Sequence, residues 1–588
     1  MERKNDYIIG KMFKGSLMVM ILSTITATVG MLVDGIVIGN FLGVDSMAAY
    51  GIVSPAFIVT AAIGGIFSSG CQTLCASRMG NGRMKEANGI FNLTCMIGML
   101  VSVLLIVLVV LFVNPIGAVL GASGEASNLL PMVRGYLIGL AIGFPGMILC
   151  SCLQPIMQLD GEKGRAFMSV VVMTVVNIAG DFLNAFVFHG GMFGMAIATT
   201  ISYYAGLAVL FLHFTRKESF YTINLKDIEW KESGNMIATG LPTAVNRTCN
   251  TLRTLILNRL LLQIAGSAAV AAFSVQANMN NLFGSIASGV GMSTLLIAGV
   301  VVGERDRTST KGLLRTSLKI GVPLVFASAA VLFIGAPLFV RMYVSDQTQT
   351  YQIAVNAVRF FAVSMPINAV NQVFVNYLQG TRNLLLANLT CVLNELVFIV
   401  LCAFPLSGMA GVNGVWTAFP VGKVLMLLAL VIMAAIACRR MPHSLDDFLF
   451  LPKDYDVPKE DVIETSANSL EQILRMSDEA KKFCRSKGIS DEKSYYVALC
   501  IEEMARNILD FGFNDQKKHS IDLRLVYKDE GLTIRIRDDC KAFDPKKWIE
   551  IHQPEDPMKN IGIRMVSEIT EELNYINTMD TNNLIIRV

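Results

Sequence analysis

Twelve apolar runs, each close to the roughly 20 residues a helix needs to cross a bilayer, occupy this chain before residue 440. They lie near 16–41, 48–76, 89–113, 134–158, 167–188, 192–214, 237–263, 269–302, 313–339, 354–379, 386–406 and 412–438. Composition agrees: 53% of the 588 residues are hydrophobic and only 16% charged, too few charges for a water-soluble chain of this size. The predicted class is therefore a polytopic α-helical membrane protein. Most of the twelve Cys sit inside these runs, and Cys71/Cys75 and Cys150/Cys152 have no His or further Cys at ligand spacing, so they read as small packing residues. Several charges precede Gly15 and no small-residue cleavage site follows a short apolar core, which excludes a removable signal peptide.

The basic residues alternate. Arg3, Lys4, Lys11 and Lys14 precede the first run, and Arg78, Arg83 and Lys85 follow the second. Lys163 and Arg165 follow the fourth, Arg216 and Lys217 the sixth, Arg305, Arg307, Lys311 and Arg315 the eighth, Arg382 the tenth, and Arg439 and Arg440 the twelfth. The other connections carry almost none, Arg134 and Arg341 being the exceptions. By the positive-inside rule both ends of the membrane region are expected in the cytoplasm, at the plasma membrane.

An internal repeat divides the runs into two sets of six. G-V-D-S-M-A-A-Y from Gly43 matches G-S-A-A-V-A-A-F from Gly266, an offset of 223 that Gly80 and Gly303 keep. G-M-F-G-M from Gly191 matches G-M-A-G-V from Gly408 at an offset of 217, which also pairs Asn177 with Asn394, Arg165 with Arg382 and Thr200 with Thr417. Two homologous six-helix bundles in parallel topology form a transporter architecture, with a site expected between or within the halves. Asp181 pairs with Phe398 and Asp34 with Leu257, so these carboxylates belong to the first half alone.

In V-V-N-I-A-G-D-F-L-N, Asn177, Asp181 and Asn184 stand at i, i+4 and i+7 and share one helix face. A mid-bilayer carboxylate costs roughly 2.5–3.5 kcal/mol on insertion scales and usually marks an ion or substrate path. The plainer reading has each Asp held by a neighbouring hydroxyl or amide and fixing only helix packing. Two such residues, Asp34 and Asp181, with amides on the same face, favour the path. In the second half, Asn246, Asn250 and Arg253 on the seventh run and Glu395, its one clear intramembrane acid, are candidates to line a cavity. For Arg253 the alternative is snorkelling or pairing with a helix end, and the scattered Met residues read mainly as core filler.

After Arg440 the chain turns charged. The reading gives lobes at 1–225 and 226–440, a Pro- and Asp-containing linker at 441–458, and a compact domain at 459–588. There the periodicity predicts a strand near Asp461, helices over 469–486 and 491–511, two strands I-D-L-R-L-V-Y and L-T-I-R-I-R, a helix over 561–571 and strands near Leu573 and Leu584. This is an α+β sandwich, with its sheet expected to be mixed.

S-T-I-T-A-T-V-G-M-L-V-D-G-I-V-I-G-N-F-L-G, the N-x-x-x-D-x-x-N helix, G-L-P-T-A-V-N and the twelve-helix repeat together resemble the multidrug and toxic compound extrusion (MATE) family over roughly 10–440. The resemblance implies cation-coupled antiport with a proton or sodium site in the first lobe. The family's first-helix carboxylate falls on Asp34, its fifth-helix Asn and Asp on Asn177 and Asp181, and its sixth-helix Thr on Thr199; Asn184 shares their face. Two carboxylates with amide and hydroxyl oxygens suit a small hard cation such as Na⁺, or a pair that shares a proton. The family's second-half acids are not matched by the seventh helix.

Residues 459–588 resemble the ATP-binding domain of histidine kinases and gyrases, most closely anti-sigma factor serine kinases. L-C-I-E-E-M-A-R-N places Glu503 at the acid position, a candidate catalytic base, and Asn507 at the magnesium position. D-D-C-K-A-F-D-P places Asp538 at the adenine-reading position, and N-I-G-I-R-M-V retains the phosphate-loop glycine Gly562 at a helix start. Cys540, Ala542 and Asn560 depart from the family's Gly or Pro pattern, and loss of Gly restricts backbone approach to phosphate.

The expected function is a secondary antiporter exporting organic, cationic or amphipathic, compounds for protons or sodium, with a cytoplasmic domain that binds Mg-ATP or a protein partner and regulates. It needs no obligatory cofactor and no nucleic acid. The alternatives are a membrane-tethered serine kinase, an ATP-driven pump, which lacks a G-x-x-x-x-G-K-[ST] loop, and a flippase for lipid-linked precursors.

Overall fold

The computed structural model describes residues 6–214, 220–224, 226–345, 349–452, 455–515, 517–528, 531–551 and 561–588. Arg3, Lys4, Arg216, Lys217 and Asn560 lie outside the described residues.

Among the described residues the apolar runs form twelve spans, most of them longer than expected. They are α1 (Tyr7–Leu42), α2 (Asp45–Gly80), α3 (Met84–Leu120), α4 (Ser127–Ile142 and Phe144–Leu159, bent by 47°), α5 (Lys163–Phe188) and α6 (Gly191–Phe214). One helical stretch, Trp230–Gly303, supplies α7 and α8, and the second lobe continues with α9 (Arg307–Arg341), α10 (Thr350–Gly380), α11 (Leu384–Ala410) and α12 (Val412–Cys438). The chain turns between α7 and α8 at Ala265–Gly266, where Gly266 has φ +66° and ψ −156°, and between α11 and α12 at Ala410–Gly411, where Gly411 has φ +57° and ψ −134°. Both conformations are open to glycine and strained for other residues. The 217 offset pairs Gly191 with Gly408, yet Gly191, at φ +58°, corresponds in conformation to Gly411. The repeat register therefore slips by three residues at this turn.

Repeat-related glycines also join the lobes. Gly80 ends α2 and Gly303 ends α8, and they pack on each other: a Cβ at Gly80 would overlap the Val300 carbonyl, and one at Gly303 the Ser77 carbonyl. This crossing closes the two lobes at the face that carries the basic connections.

Among the described residues five strands form the soluble domain's sheet: β1 (Val462–Ala467), β2 (Ile521–Lys528), β3 (Gly531–Asp538), β4 (Glu572–Thr578) and β5 (Thr581–Arg587), in the order β1-β2-β3-β5-β4. Every pairing is antiparallel, which corrects the expected mixed sheet. Leu523, Leu525, Ile534, Ile536 and Ile586 pack on α13 (Leu470–Ser486) and α14 (Asp491–Gly512), with α15 (Pro545–Ile551) and α16 (Ile561–Ile569) completing the helical layer. The reason for the all-antiparallel order is that the crossover through α15 and α16 carries the chain from β3 past one strand position to β4, and the tight β4–β5 hairpin at Met579–Asp580, both at positive φ, lays β5 antiparallel between them. The described linker is packed rather than loose: Leu449 is buried, and its carbonyl accepts from Tyr377 Oη at 2.9 Å.

Candidate functional site

Asp34 on α1 and Asp181 on α5 are brought together. Asp181 is fully buried, Asp34 is 7% exposed, and their carboxyl groups lie within hydrogen-bonding reach of each other. Among the described residues neither Asp181 oxygen has a hydrogen-bond donor, and Asp34 Oδ1 has none either. Two carboxylates offer only acceptors, so contact between them requires a shared proton or a bound cation. Beside the pair, Asn177 Nδ2 donates to Thr199 Oγ1 at 3.5 Å, and Thr199 Oγ1 donates to the Met195 carbonyl at 3.2 Å. Asn184 is a correction to the expected ion set. Its Nδ2 donates to the Gly191 carbonyl and its Oδ1 accepts from Gly190 N, both at 3.0 Å, so its amide closes the α5–α6 turn.

The second lobe holds a cavity of about 700 Å³ between α7, α8, α10, α11 and α12, with Thr24, Thr28 and Met31 of α1 on its first-lobe side. Asn246, Asn250, Arg253 and Glu395 all line it. Sequence reasoning missed two more of its residues, Arg247 and Lys423. Lys423 was legible as the lone charge inside the twelfth run, and Arg247 as one of three Arg inside the seventh, with Arg253 and Arg259. Glu395 Oε2 accepts from Arg253 at 2.7 Å, and its Oε1 accepts from Asn394 at 2.7 Å, Lys423 at 3.2 Å and Gln372 at 3.3 Å. Arg253 also donates to Asn250 Oδ1 at 3.1 Å and to the Glu395 carbonyl at 3.2 Å, and lies over the Phe419 ring.

In the soluble domain Asn507 on α14 and Asp538 at the end of β3 meet in a pocket of about 360 Å³, with Cys540, Phe543, Trp548 and Tyr575. Asp538 Oδ1 accepts from Asn582 Nδ2 at 2.7 Å and Cys540 N at 2.9 Å, and burial pushes its carboxyl above the ordinary range. Glu503 is not part of this lining; it packs against Gly562, where any Cβ would overlap its Oε2.

The next residue, Asp539, is tied to the membrane region: its Oδ2 accepts from Lys11 Nζ on α1 at 2.6 Å. Lys163 Nζ, at the start of α5, donates to Asp580 at 2.8 Å. On the second lobe, Arg535 pairs with Glu304 at 3.0 Å and Asp306 at 2.7 Å, Arg524 with Asp306 at 2.8 Å, and Arg537 with Glu304. Burial by itself would raise the Asp306 carboxyl, but Arg535 and Arg524 more than offset it and hold it well below the usual range. One sheet is therefore ion-paired to both lobes, on the face where they are closed.

The MatE family matches residues 20–183 and 242–404, more than half of the chain. The chain belongs to the MatE family. The histidine kinase-like ATPase domain family matches residues 466–588 of this MatE protein. Multidrug export protein MepA of Staphylococcus aureus (strain bovine RF122 / ET3-1) is 22% identical over 407 residues, covering 67% of this chain and 86% of that relative. The probable multidrug resistance protein YoeA of Bacillus subtilis (strain 168) is 21% identical over 341 residues, covering 56% and 73%. Among solved structures, the Vibrio cholerae MATE transporter VcmN superposes with a TM-score of 0.69 at 19% identity, over 76% of this chain and 100% of that one. An outward-facing multidrug resistance MATE transporter of the MOP superfamily gives 0.67 at 21% identity, over 72% and 94%. These likenesses establish a two-lobed MatE transporter with an appended ATPase-like domain.

Proposed function

We propose that this MatE protein is a secondary antiporter that exports organic compounds, with the coupling cation held between Asp34 and Asp181. The observation that carries the reading is the contact of two buried carboxyl groups in which, among the described residues, both Asp181 oxygens and Asp34 Oδ1 have no hydrogen-bond donor. A proton shared by the pair leaves one negative charge in place of two, and losing that proton leaves two repelling carboxylates, so the two ion states favour different packings of α1 on α5. That is the differential interaction an alternating-access cycle needs. Sodium is the alternative the same oxygens admit. The curated relatives' names, multidrug export and multidrug resistance, support efflux of small organic molecules.

The soluble domain is proposed to regulate this cycle from the cytoplasm, where the positive-inside rule places the basic connections. Opening the lobes on that face separates Lys11 and Lys163 from Glu304 and Asp306, all of which the sheet holds. Transport then requires the domain to shift or release. Asp538 and Asn507 fit the adenine and magnesium positions of a bound Mg-ATP, and Asp539, beside Asp538, carries the link to α1. A nucleotide there would supply binding energy to move that link. Glu503, packed on Gly562 outside the pocket lining, gives the serine-kinase alternative less support.

The test uses purified protein in ATP-free liposomes, with dye flux driven in turn by a pH gradient and a sodium gradient. Flux under either gradient supports antiport and names the ion. Flux that appears only with internal Mg-ATP overturns the reading.

A further inference from the structure

The charge inventory of the second-lobe cavity does not match a cationic substrate. Its lining carries three basic side chains, Arg247, Arg253 and Lys423, and a single acid, Glu395. Glu395 is saturated: both its oxygens are engaged, by Arg253, Lys423, Asn394 and Gln372. No carboxylate in this lining is left to neutralise an incoming cation. After Arg253 and Lys423 share the one charge of Glu395, the lining retains two positive charges.

One of them is uncommitted. Arg247 lies near the middle of α7, is exposed to the cavity, and its guanidinium makes no hydrogen bond or ion pair among the described residues. It stands at the seam of the lobes, since a Cβ on Gly65 of α2 would sit 3.7 Å from its Nε. A guanidinium at membrane depth that faces the cavity with no protein partner among the described residues is free to meet a ligand, and its planar fork suits carboxylate, sulfonate or phosphate oxygens. Nine side-chain amides line the same space, among them Gln276, Asn280, Asn368 and Asn376, and they offer hydrogen bonds to a polar body. Phe273 and Phe361 provide apolar wall.

We infer that the substrate is an organic anion, its acidic group held by Arg247 and its polar body by the amides, in place of the cationic or amphipathic compound expected from sequence. This deepens the antiporter reading and rests on it.

The test measures equilibrium binding of fluorescein, an organic anion, and ethidium, an organic cation, to the purified full-length protein by fluorescence anisotropy, followed by gradient-driven flux of each dye in liposomes. Fluorescein is expected to bind about tenfold more tightly than ethidium or better. Arg247→Gln is expected to lose about tenfold in fluorescein affinity, with Arg247→Lys intermediate. Tighter binding of ethidium, no binding of fluorescein, or an unchanged Arg247→Gln would each overturn the inference. If Arg247→Gln does not fold, the dye preference of the wild type decides alone. Fluorescein binding with no gradient-driven flux sinks the antiport reading and leaves the anion site standing.

Discussion

Asp34 and Asp181 illustrate how much chemistry one contact carries. Replacing either by Asn supplies an amide N–H to the remaining carboxyl and reproduces the protonated pair without a titratable proton. Asp34→Asn and Asp181→Asn are therefore each expected to abolish gradient-driven flux, at least about tenfold, while the melting temperature of the purified protein stays near wild type. Retained coupled flux in either would remove the pair from the mechanism. Asp522, in the soluble domain, makes a second residue-level case. Burial, opposed only in part by Arg537, pushes its carboxyl up to about 6 from an ordinary 3.8. Because the folded value is the higher one, its stabilising contribution is full below pH 4 and is lost as pH rises through about 6. The loss is about 3 kcal/mol. Asp522→Asn is expected to flatten this dependence and to slow hydrogen exchange of β1–β3 at pH 7.5; faster exchange would show that the carboxylate stabilises the sheet.

At the scale of elements, the crossing of α2 and α8 is set by two glycines rather than by apolar side chains. A methyl at Gly80 or Gly303 meets carbonyl oxygen, which cannot yield without moving a helix. Gly80→Ala and Gly303→Ala are each expected to destabilise the closed basic-loop face by about 1–3 kcal/mol, the usual cost of overpacking. Spin labels on α2 and α8 should then report longer distances across the lobes at that face. Unchanged distances in both variants would mean the crossing adapts and does not gate.

For the whole molecule, the decisive feature is that the sheet's second face is not a solvent face. Arg524, Arg535 and Arg537 alternate with core residues of β2 and β3 and pair with Glu304 and Asp306, where Asp306 also caps the start of α9 through Ser309 N at 2.8 Å. Asp306 is fully buried, and removing the partners of a buried charge costs about 3–5 kcal/mol. The double variant Arg524→Gln, Arg535→Gln is expected to release the domain from the second lobe, seen as raised hydrogen exchange at the start of α9, and to change the flux rate if docking regulates transport. Release with an unaltered rate would reduce the contact to a tether.

Twelve spans, the two-lobe repeat and the α+β layer were all legible in the sequence. These rest on local properties: run length, offset and periodicity. Asp34, Asp181, Arg253 and Glu395 were legible too, because a charge inside an apolar run is conspicuous wherever it ends up. What each charge meets is not local. The packing of α1 on α5 joins two carboxyls 147 positions apart, the α5–α6 turn takes up the Asn184 amide, and the packing of α12 on α11 brings Lys423 to Glu395, which leaves no free carboxylate in the cavity. The alternation of β2 and β3 fixes which residues share a face. Whether that face meets water or the carboxylates of Glu304 and Asp306 depends on distances between segments more than 200 residues apart, which only the tertiary structure decides.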